Sequence, residues 1–212
     1  ACFTKAIEIE PGLAELHLGL GLAFQRATQT LNAIKSYRKA IELTFDYPEA
    51  HFNLGLALEE LGDFQNALKS FETCLSHRKN FLAAHFHVSR LVKYTEDHEH
   101  YHEVLKLDEI TPSEVDGSYY LKFTLAKMYE DIGKLDYAFS HLIEGNALRK
   151  KLLKYSITQD IEFFNRLKET QPHLLKNSMQ LKESSIEPTP IFILGMPRSG
   201  TTLVEQIISS HS

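Results

Sequence analysis

Residues 48–81, PEAHFNLGLALEELGDFQNALKSFETCLSHRKNF, decide the predicted fold because their pattern recurs along the chain at a fixed spacing. The clearest marker is a histidine that returns every 34 residues, at His17, His51 and His85. Other positions keep the same spacing: Leu20, Leu54 and Val88; Gly21, Gly55 and Ser89; Phe24, Leu58 and Val92; Ala33 and Ala67; Tyr37 and Phe71; Ala40 and Cys74. Such a period indicates an array of repeated units, each of which buries its apolar face against its neighbours.

Small residues recur where two helices would cross, and aromatic residues recur between them. With its period of 34, this pattern resembles the tetratricopeptide repeat, in which each unit is a pair of antiparallel helices. The resemblance implies a mainly α fold built as an α-solenoid. Gly21 and Gly55, with Ala33 and Ala67, are expected to let the helix backbones approach closely.

The predicted repeat array covers residues 1–152. It divides into a partial unit, two complete units, a degenerate unit and a final unit, at 1–13, 14–47, 48–81, 82–110 and 111–152. The fourth segment is called degenerate because Tyr101 and Asp108 stand where small residues are expected. Thr111-Pro112-Ser113-Glu114 has the form of a capping box with proline at the first helical position, which predicts that a helix begins there.

Residues 153–190 fall outside the repeat register and are predicted to form a helix and a linker. Gln159 to about Glu169 is an amphipathic pattern that places Ile161, Phe164 and Leu167 inward. Ser178–Pro190 contains serine pairs and prolines, which are typical of a linker.

A second informative stretch follows at residues 191–202, Ile-Phe-Ile-Leu-Gly-Met-Pro-Arg-Ser-Gly-Thr-Thr. Its first four residues predict a buried strand, Gly195 and Gly200 a tight loop, and Thr201 the start of a helix. A strand, a glycine-bearing loop and a helix N-terminus together bind phosphate, because free backbone N–H groups and the helix dipole converge on one point.

The stretch differs from the nucleotide-triphosphate loop G-x-x-x-x-G-K-[ST] at one decisive position. Gly195, Gly200 and Thr202 match, but Thr201 replaces the lysine that contacts the outer phosphates. A donor with fewer terminal charges and no obligatory metal therefore fits better than a nucleoside triphosphate.

The same residues resemble the 5′-phosphosulfate loop of sulfotransferases that use 3′-phosphoadenosine 5′-phosphosulfate (PAPS), especially the tyrosylprotein-sulfotransferase-like branch and bacterial sulfotransferases that carry tetratricopeptide repeats. The resemblance implies that residues 191–212 begin a P-loop-like α/β sulfotransferase domain. PAPS is then the co-substrate and no metal is needed. The residues that would hold its 5′-phosphosulfate are Arg198, Ser199, Gly200, Thr201 and Thr202.

No catalytic residue is predicted within the chain. In the sulfotransferase family the base and the 3′-phosphate site come from later sequence, so residues 1–212 are expected to be an inactive fragment, cut at both ends, of a longer enzyme. Glu205 and His211 lie on the helix that leaves the loop, and surface or packing roles are expected for them.

Composition and charge argue against several classes of protein. The net charge of −5 argues against a general nucleic-acid binder. No apolar run approaches the roughly 20 residues of a membrane helix. Cys2 and Cys74 occupy helical positions without a disulfide pattern, which favours a reducing, cytoplasmic location.

The repeat groove is a second candidate site, for a protein or peptide ligand. The open alternative is a structural array that only orients or oligomerises the enzyme. By resemblance to the repeat family it would be lined by first-helix positions: Phe52, Leu56, Glu59, Phe86, Arg90 and Lys93. The histidine-rich run Asp97–His102 is interpreted as a solvated polar turn and not as a metal site, because side chains two residues apart on a helix diverge. His17, His51 and His85 are interpreted as partly buried spacers.

Two hypotheses of different class follow. The first is a PAPS-dependent sulfotransferase in which the repeats bind the acceptor or another protein. The second is a tetratricopeptide interaction module without catalysis, in which the loop is vestigial. Nucleotide-triphosphate chemistry is a third and weaker option, disfavoured by Thr201.

Overall fold

The computed structural model describes residues 2–113 and 115–177, and within those ranges the regular structure is entirely helical. The helices are α1 Cys2–Ile9, α2 Ala14–Arg26, α3 Thr30–Leu43, α4 Pro48–Glu60, α5 Phe64–His77, α6 Leu82–Leu91, α7 Glu99–Ile110, α8 Ser118–Asp131, α9 Leu135–Leu153 and α10 Ile157–Asn177. The predicted mainly α repeat array is therefore confirmed in the described part of the chain. None of these helices is long and apolar enough to cross a membrane.

Helices α2 and α3, and helices α4 and α5, form hairpins closed by connections of three residues. Local sequence explains their ends: Pro48 starts α4, and the Asp63 carboxylate accepts the backbone N–H of Asn66 at 3.3 Å to cap α5. Successive hairpins stack because α4 packs on α3 and α6 packs on α5.

The conserved spacing of glycine and aromatic residues has a specific packing role. A Cβ on Gly55 would lie 2.5 Å from Cε1 of Phe71, and Gly21 receives the ring of Tyr37 in the same way. Both rings are completely buried. The glycines therefore admit an aromatic side chain of the partner helix, whereas the sequence predicted a close approach of backbones.

The main core runs through successive hairpins and contains the repeated small and aromatic positions. Its buried members are Ala33, Ile34, Tyr37, Leu54, Ala57, Leu58, Ala67, Phe71 and Val88. A second cluster joins the next helices through Leu82, Tyr94, Tyr101, Val104, Leu121, Leu125 and Met128. Tyr101, which breaks the repeat pattern in sequence, is thus a buried core residue.

The irregular part of the array lies between α6 and α8. Helix α6 has 10 residues, whereas α2 and α4 have 13 each, because Val92 is already extended (φ −114°, ψ 144°). The connection 92–98 then inserts the buried ring of Tyr94 into the second core cluster.

The predicted helix start at Thr111-Pro112 is wrong, because α8 begins at Ser118. The Thr111 hydroxyl instead donates to the carbonyl of Leu107 at 2.6 Å and so closes α7. The chain then turns at Gly117, whose φ of +81° is a conformation that favours glycine, and the Ser118 hydroxyl donates to the carbonyl of Ser113 at 2.8 Å.

The chain divides into two compact units, Ala1–Tyr155 and Ser156–Ser212. In the second unit, α10 is longer than the predicted helix and contains Pro172. The prediction that Ile161, Phe164 and Leu167 point inward is wrong: each is about half exposed, since no described element of that unit packs against them. The predicted linker Ser178–Pro190 lies outside the described residues.

The repeated histidines tie each hairpin to the preceding turn. Nε2 of His17, His51 and His85 lies 3.1, 2.8 and 2.7 Å from the carbonyl six residues earlier, that of Pro11, Phe45 and Lys79 respectively. A carbonyl only accepts, so Nε2 carries the proton in each case. His51 and His85 are buried, more deeply than spacers were expected to be.

Replacing His51 with phenylalanine is expected to lower the free energy of unfolding by about 1 kcal/mol, because the ring volume stays and the bond to Phe45 is lost. Burial lowers the pKa of His51. The folded state then binds fewer protons, so this residue's contribution is complete above about pH 6.5 and is lost as the pH falls. Urea unfolding followed by circular dichroism at several pH values tests this. His17→Phe, at a half-buried position, is the control and should cost less; equal losses would contradict the prediction.

Candidate functional site

Aromatic side chains form a continuous row across three first helices of the array. Phe52 on α4, Phe86 and His87 on α6, and Phe123 on α8 are partly buried and pack in sequence. The ring centroids of Phe52 and His87 are 5.7 Å apart, and those of Phe86 and Phe123 are 6.2 Å apart. Tyr120 adds a further ring 5.6 Å from Phe86. We call Phe52, Phe86, His87, Tyr120 and Phe123 the aromatic row.

One carboxylate organises the polar groups beside this row. Glu59 Oε2 lies 2.7 Å from Nδ1 of His87, and Oε1 lies 3.1 Å from Nη1 of Arg90. The His87 ring also stacks on the buried Phe71 at 5.1 Å. Burial lowers the pKa of His87 even though the Glu59 hydrogen bond opposes it. His87 is therefore neutral near pH 7, and its Nδ1–H donates to Glu59.

A cleft of about 760 Å³ opens at the end of the aromatic row, between α6, α8 and α9. Phe86 and Phe123 form one wall, and Phe139 and Leu142 of α9 form another. Its charged lining residues are of both signs: Arg90, Lys127 and Arg149 are basic, and Glu130 and Asp136 are acidic. Apolar walls with a few charged groups at the rim are typical of a surface that takes up a side chain of a peptide ligand.

Of the predicted groove residues, Phe86 and Arg90 line the cleft, and Phe52 lies in the aromatic row. Phe52, Leu56 and Phe86 are partly buried, and Arg90 is half exposed, all on first helices. Glu59 is held by His87 and Arg90 and is not free for a ligand. The prediction for Lys93 is wrong, because α6 ends at Leu91 and Lys93 lies on the connection that follows.

Sequence reasoning missed Phe123 and the His87–Glu59 pair. Phe123 occupies the position of Phe52 and Phe86, but the irregular connection between α6 and α8 lengthens the spacing to 37 residues and hides it from a strict period of 34. His87 and Glu59 come from neighbouring units, and no local pattern connects them.

The histidine-rich run is only partly the solvated turn that was predicted. His102 is exposed, but His100 bonds to His85 and Tyr94, and burial is the main cause that lowers its pKa to about 3. Among residues 2–113 and 115–177, no three His, Cys, Asp or Glu side chains are arranged to hold a metal ion.

The predicted 5′-phosphosulfate residues lie outside the described part of the structure. This applies to Arg198, Ser199, Gly200, Thr201 and Thr202, to the strand and glycines that precede them, and to Glu205 and His211. Their roles remain predictions.

Comparison with known proteins supports the helical array directly. Family models described as "TPR repeat" and "Tetratricopeptide repeat" match residues 30–62 and 48–81. The chain contains tetratricopeptide repeats. A third model, described as "Sulfotransferase family", matches residues 190–212. This match is short, and it covers the stretch that carries the phosphosulfate-loop resemblance.

Solved structures similar to this chain are also repeat proteins. MamA superposes with a TM-score of 0.54 at 20% identity, over 72% of this chain and 88% of its own. YrrB, titled "a TPR protein with an unusual peptide-binding site", superposes with a TM-score of 0.53 at 19% identity, over 70% of this chain and 75% of its own. Likeness at this identity establishes the helical fold.

One curated relative is an uncharacterized protein of Aquifex aeolicus (strain VF5), 39% identical over 97 residues. The match covers 42% of this chain and 12% of the relative. The chain therefore spans only a small part of the length of the relative it matches.

Proposed function

We propose that the protein is a sulfotransferase that uses PAPS and that its tetratricopeptide repeats bind a protein ligand or acceptor. The observation that carries the proposal is the residue pattern of the segment 190–212. The segment has the residue order of a 5′-phosphosulfate loop, and the "Sulfotransferase family" model matches it. The α/β domain that this segment begins would continue beyond Ser212.

The residue types present suit the proposed donor. Backbone N–H groups at Gly200 and the start of the following helix would hold the 5′-phosphate, and the Arg198 guanidinium can pair with two of its oxygens. The hydroxyls of Ser199, Thr201 and Thr202 add further donors. Concentrated donors of this kind stabilise the negative charge that develops on the leaving phosphate.

The reaction would be an in-line transfer. The acceptor oxygen forms a bond to sulfur while the bond between sulfur and the 5′-phosphate oxygen breaks, which releases adenosine 3′,5′-bisphosphate. The acceptor's proton passes to a base, and we assign no residue to that role. The role proposed for the loop is to hold the donor and to place sulfur in line with the nucleophile.

The repeats are proposed to contribute the protein-binding surface. The aromatic row and the adjoining cleft support this proposal, because aromatic side chains with two rotatable bonds provide large contact areas at low entropic cost. Arginine at the margin, at Arg90 and Arg149, adds directional hydrogen bonding.

Binding of adenosine 3′,5′-bisphosphate tests the proposed donor site. The measurement is isothermal titration calorimetry on a chain extended through the α/β domain, with magnesium-ATP titrated in parallel. Magnesium-independent binding of the bisphosphate supports the sulfotransferase. If neither nucleotide binds, the interaction module without catalysis is the better proposal. A preference for magnesium-ATP would instead favour nucleotide-triphosphate chemistry.

Replacing Phe86 with alanine is expected to raise the KM for a protein acceptor by about tenfold and to leave the KM for PAPS unchanged, because a buried aromatic anchor contributes more than 1 kcal/mol to binding. Initial-rate kinetics with each substrate varied in turn measures the two constants. Phe64→Ala is a matched control, since Phe64 is 56% exposed on α5. An unchanged acceptor KM would contradict a role of the aromatic row.

A further inference from the structure

A hydrogen-bonded pair of imidazoles lies inside the degenerate unit, residues 82–110, and has no part in the aromatic row. His85 is 3% exposed. Its Nδ1 lies 2.7 Å from Nε2 of His100, and the two rings lie edge to edge in nearly the same plane, with centroids 5.0 Å apart and an interplanar angle of 13°. The remaining nitrogens are also used: His85 Nε2 contacts the carbonyl of Lys79, and His100 Nδ1 contacts the hydroxyl of Tyr94, each at 2.7 Å.

The carbonyl at one end fixes the direction of every bond. It can only accept, so His85 Nε2 carries a proton and, in the neutral ring, Nδ1 carries none. His100 Nε2 must then donate to His85 Nδ1, and the Tyr94 hydroxyl must donate to His100 Nδ1. All four groups are satisfied in one direction while both imidazoles are neutral.

Added protons are incompatible with this arrangement. A first proton reverses the bond to Tyr94, whose hydroxyl then loses its acceptor. A second proton points one N–H at another N–H across 2.7 Å and places positive charges on two adjacent rings. Water outside the site satisfies a protonated imidazole far better than this buried geometry does.

We propose that the His85–His100 pair is a proton-sensitive switch that holds the connection 92–98 and the first turn of α7 in place while both rings are neutral, and releases them when the rings take up protons. This inference does not depend on the proposed sulfotransferase activity.

The connection depends on the pair for its attachment. Tyr94 is 2% exposed and bonds His100 through its hydroxyl, while its backbone N–H donates to Asp131 Oδ2 on α8 at 3.2 Å. His98 caps α7 by accepting the backbone N–H of His100 at 3.2 Å. Loss of the imidazole pair therefore removes the hydrogen bond that holds the Tyr94 hydroxyl and the one that ties His100, in the first turn of α7, to α6.

A cleft of about 560 Å³ adjoins the pair and exposes it to surrounding charges. Residues of α5, the α5–α6 turn and α7 face it; those that titrate or carry charge are Glu72, Lys79, His98, Glu99, Glu103 and Lys106. Asp131 of α8 faces Tyr94. Burial is nevertheless the main cause that lowers the pKa of both histidines; at His85 the Lys79 carbonyl and Glu103 oppose it, whereas at His100 the charges of His85 and His98 add to it.

The direction of the pH effect follows from this shift. The released state binds protons near the ordinary histidine value of about 6.5, and the closed state does so only at lower pH. The closed state is thus fully favoured above about pH 6.5, and its advantage is lost as the pH falls. With two rings, the equilibrium for release should rise by up to about 100-fold per pH unit.

Nuclear magnetic resonance of the 212-residue chain tests the proposal in two ways. Long-range ¹⁵N spectra at pH 7.5 should show the Nε2–H tautomer at both His85 and His100. Amide hydrogen exchange should show protection factors in residues 93–104 that fall steeply below about pH 6, while those of α3, which contains no histidine, change much less.

Variants distinguish the effect of the His85–His100 pair from a general sensitivity of the fold to acid. His100→Phe keeps a ring and removes both nitrogens. The release equilibrium measured from amides 93–104 should then change by only about tenfold per pH unit. His17→Gln, at the same repeat position as His85, should leave the pH dependence of this equilibrium unchanged. The proposal is overturned by an Nδ1–H tautomer at either ring in the unmodified chain. It is equally overturned if both histidines titrate near pH 6.5 while these amides stay protected.

Discussion

Replacing Phe71 with alanine is expected to lower the free energy of unfolding by about 3–5 kcal/mol, the cost of deleting a fully buried aromatic side chain. Phe71 is completely buried, with its ring over Gly55, 5.1 Å from His87 and 5.7 Å from Phe52. The cavity cannot collapse easily, because Gly55 offers no side chain to fill it. Urea unfolding followed by circular dichroism at 222 nm measures the change.

The chain offers a matched control on the same helix. Phe64 begins α5 and is 56% exposed, so Phe64→Ala is expected to change the free energy of unfolding by less than about 0.5 kcal/mol. Similar losses in the two variants would mean that burial at the hairpin interface does not determine the stability of the array. Removing the Phe71 ring should also disturb the aromatic row, since the His87 ring stacks on Phe71.

Replacing Arg198 with alanine is expected to weaken the binding of adenosine 3′,5′-bisphosphate by about 10- to 100-fold, because hydrogen bonds to a charged group contribute about 1.5–3 kcal/mol. The measurement is calorimetric titration of the chain extended through the α/β domain. The result rests on the proposed phosphosulfate loop, in which the guanidinium pairs with two phosphate oxygens.

Arg198→Lys distinguishes charge from geometry. Lysine keeps the positive charge but loses the planar fork, so a bidentate contact predicts intermediate affinity. Equal binding by the unmodified chain and both variants would remove Arg198 from the proposed site. Unchanged thermal unfolding of the repeats in both variants would confirm that the substitutions alter nucleotide binding and not the stability of the array.

Regular parts of the array were predictable because their causes are local. The recurrence of histidine, glycine and aromatic residues every 34 residues indicates helices that pack in the same way in each unit, and Pro48 marks a helix start by its fixed φ. The predicted phosphosulfate loop, which lies outside the described residues, rests on the same kind of signal: a short run of residues suggests an anion site without reference to the rest of the chain.

The irregular parts depended on contacts that a local pattern does not contain. Thr111-Pro112 has the form of a helix start, but its hydroxyl bonds back to Leu107 and the helix begins six residues later. The exposed face of α10 likewise differs from its predicted burial, since amphipathic spacing indicates which residues share a face and not what covers that face.

The sequence alone determined that this chain forms stacked helical hairpins, because a repeated pattern of side-chain size repeats the same packing. Only the tertiary structure decided which polar groups meet. His87 reaches Glu59 across neighbouring units, and His85 meets His100 across a broken helix. These pairs join residues 28 and 15 positions apart. Their chemistry follows from burial and orientation, which arise when the hairpins stack.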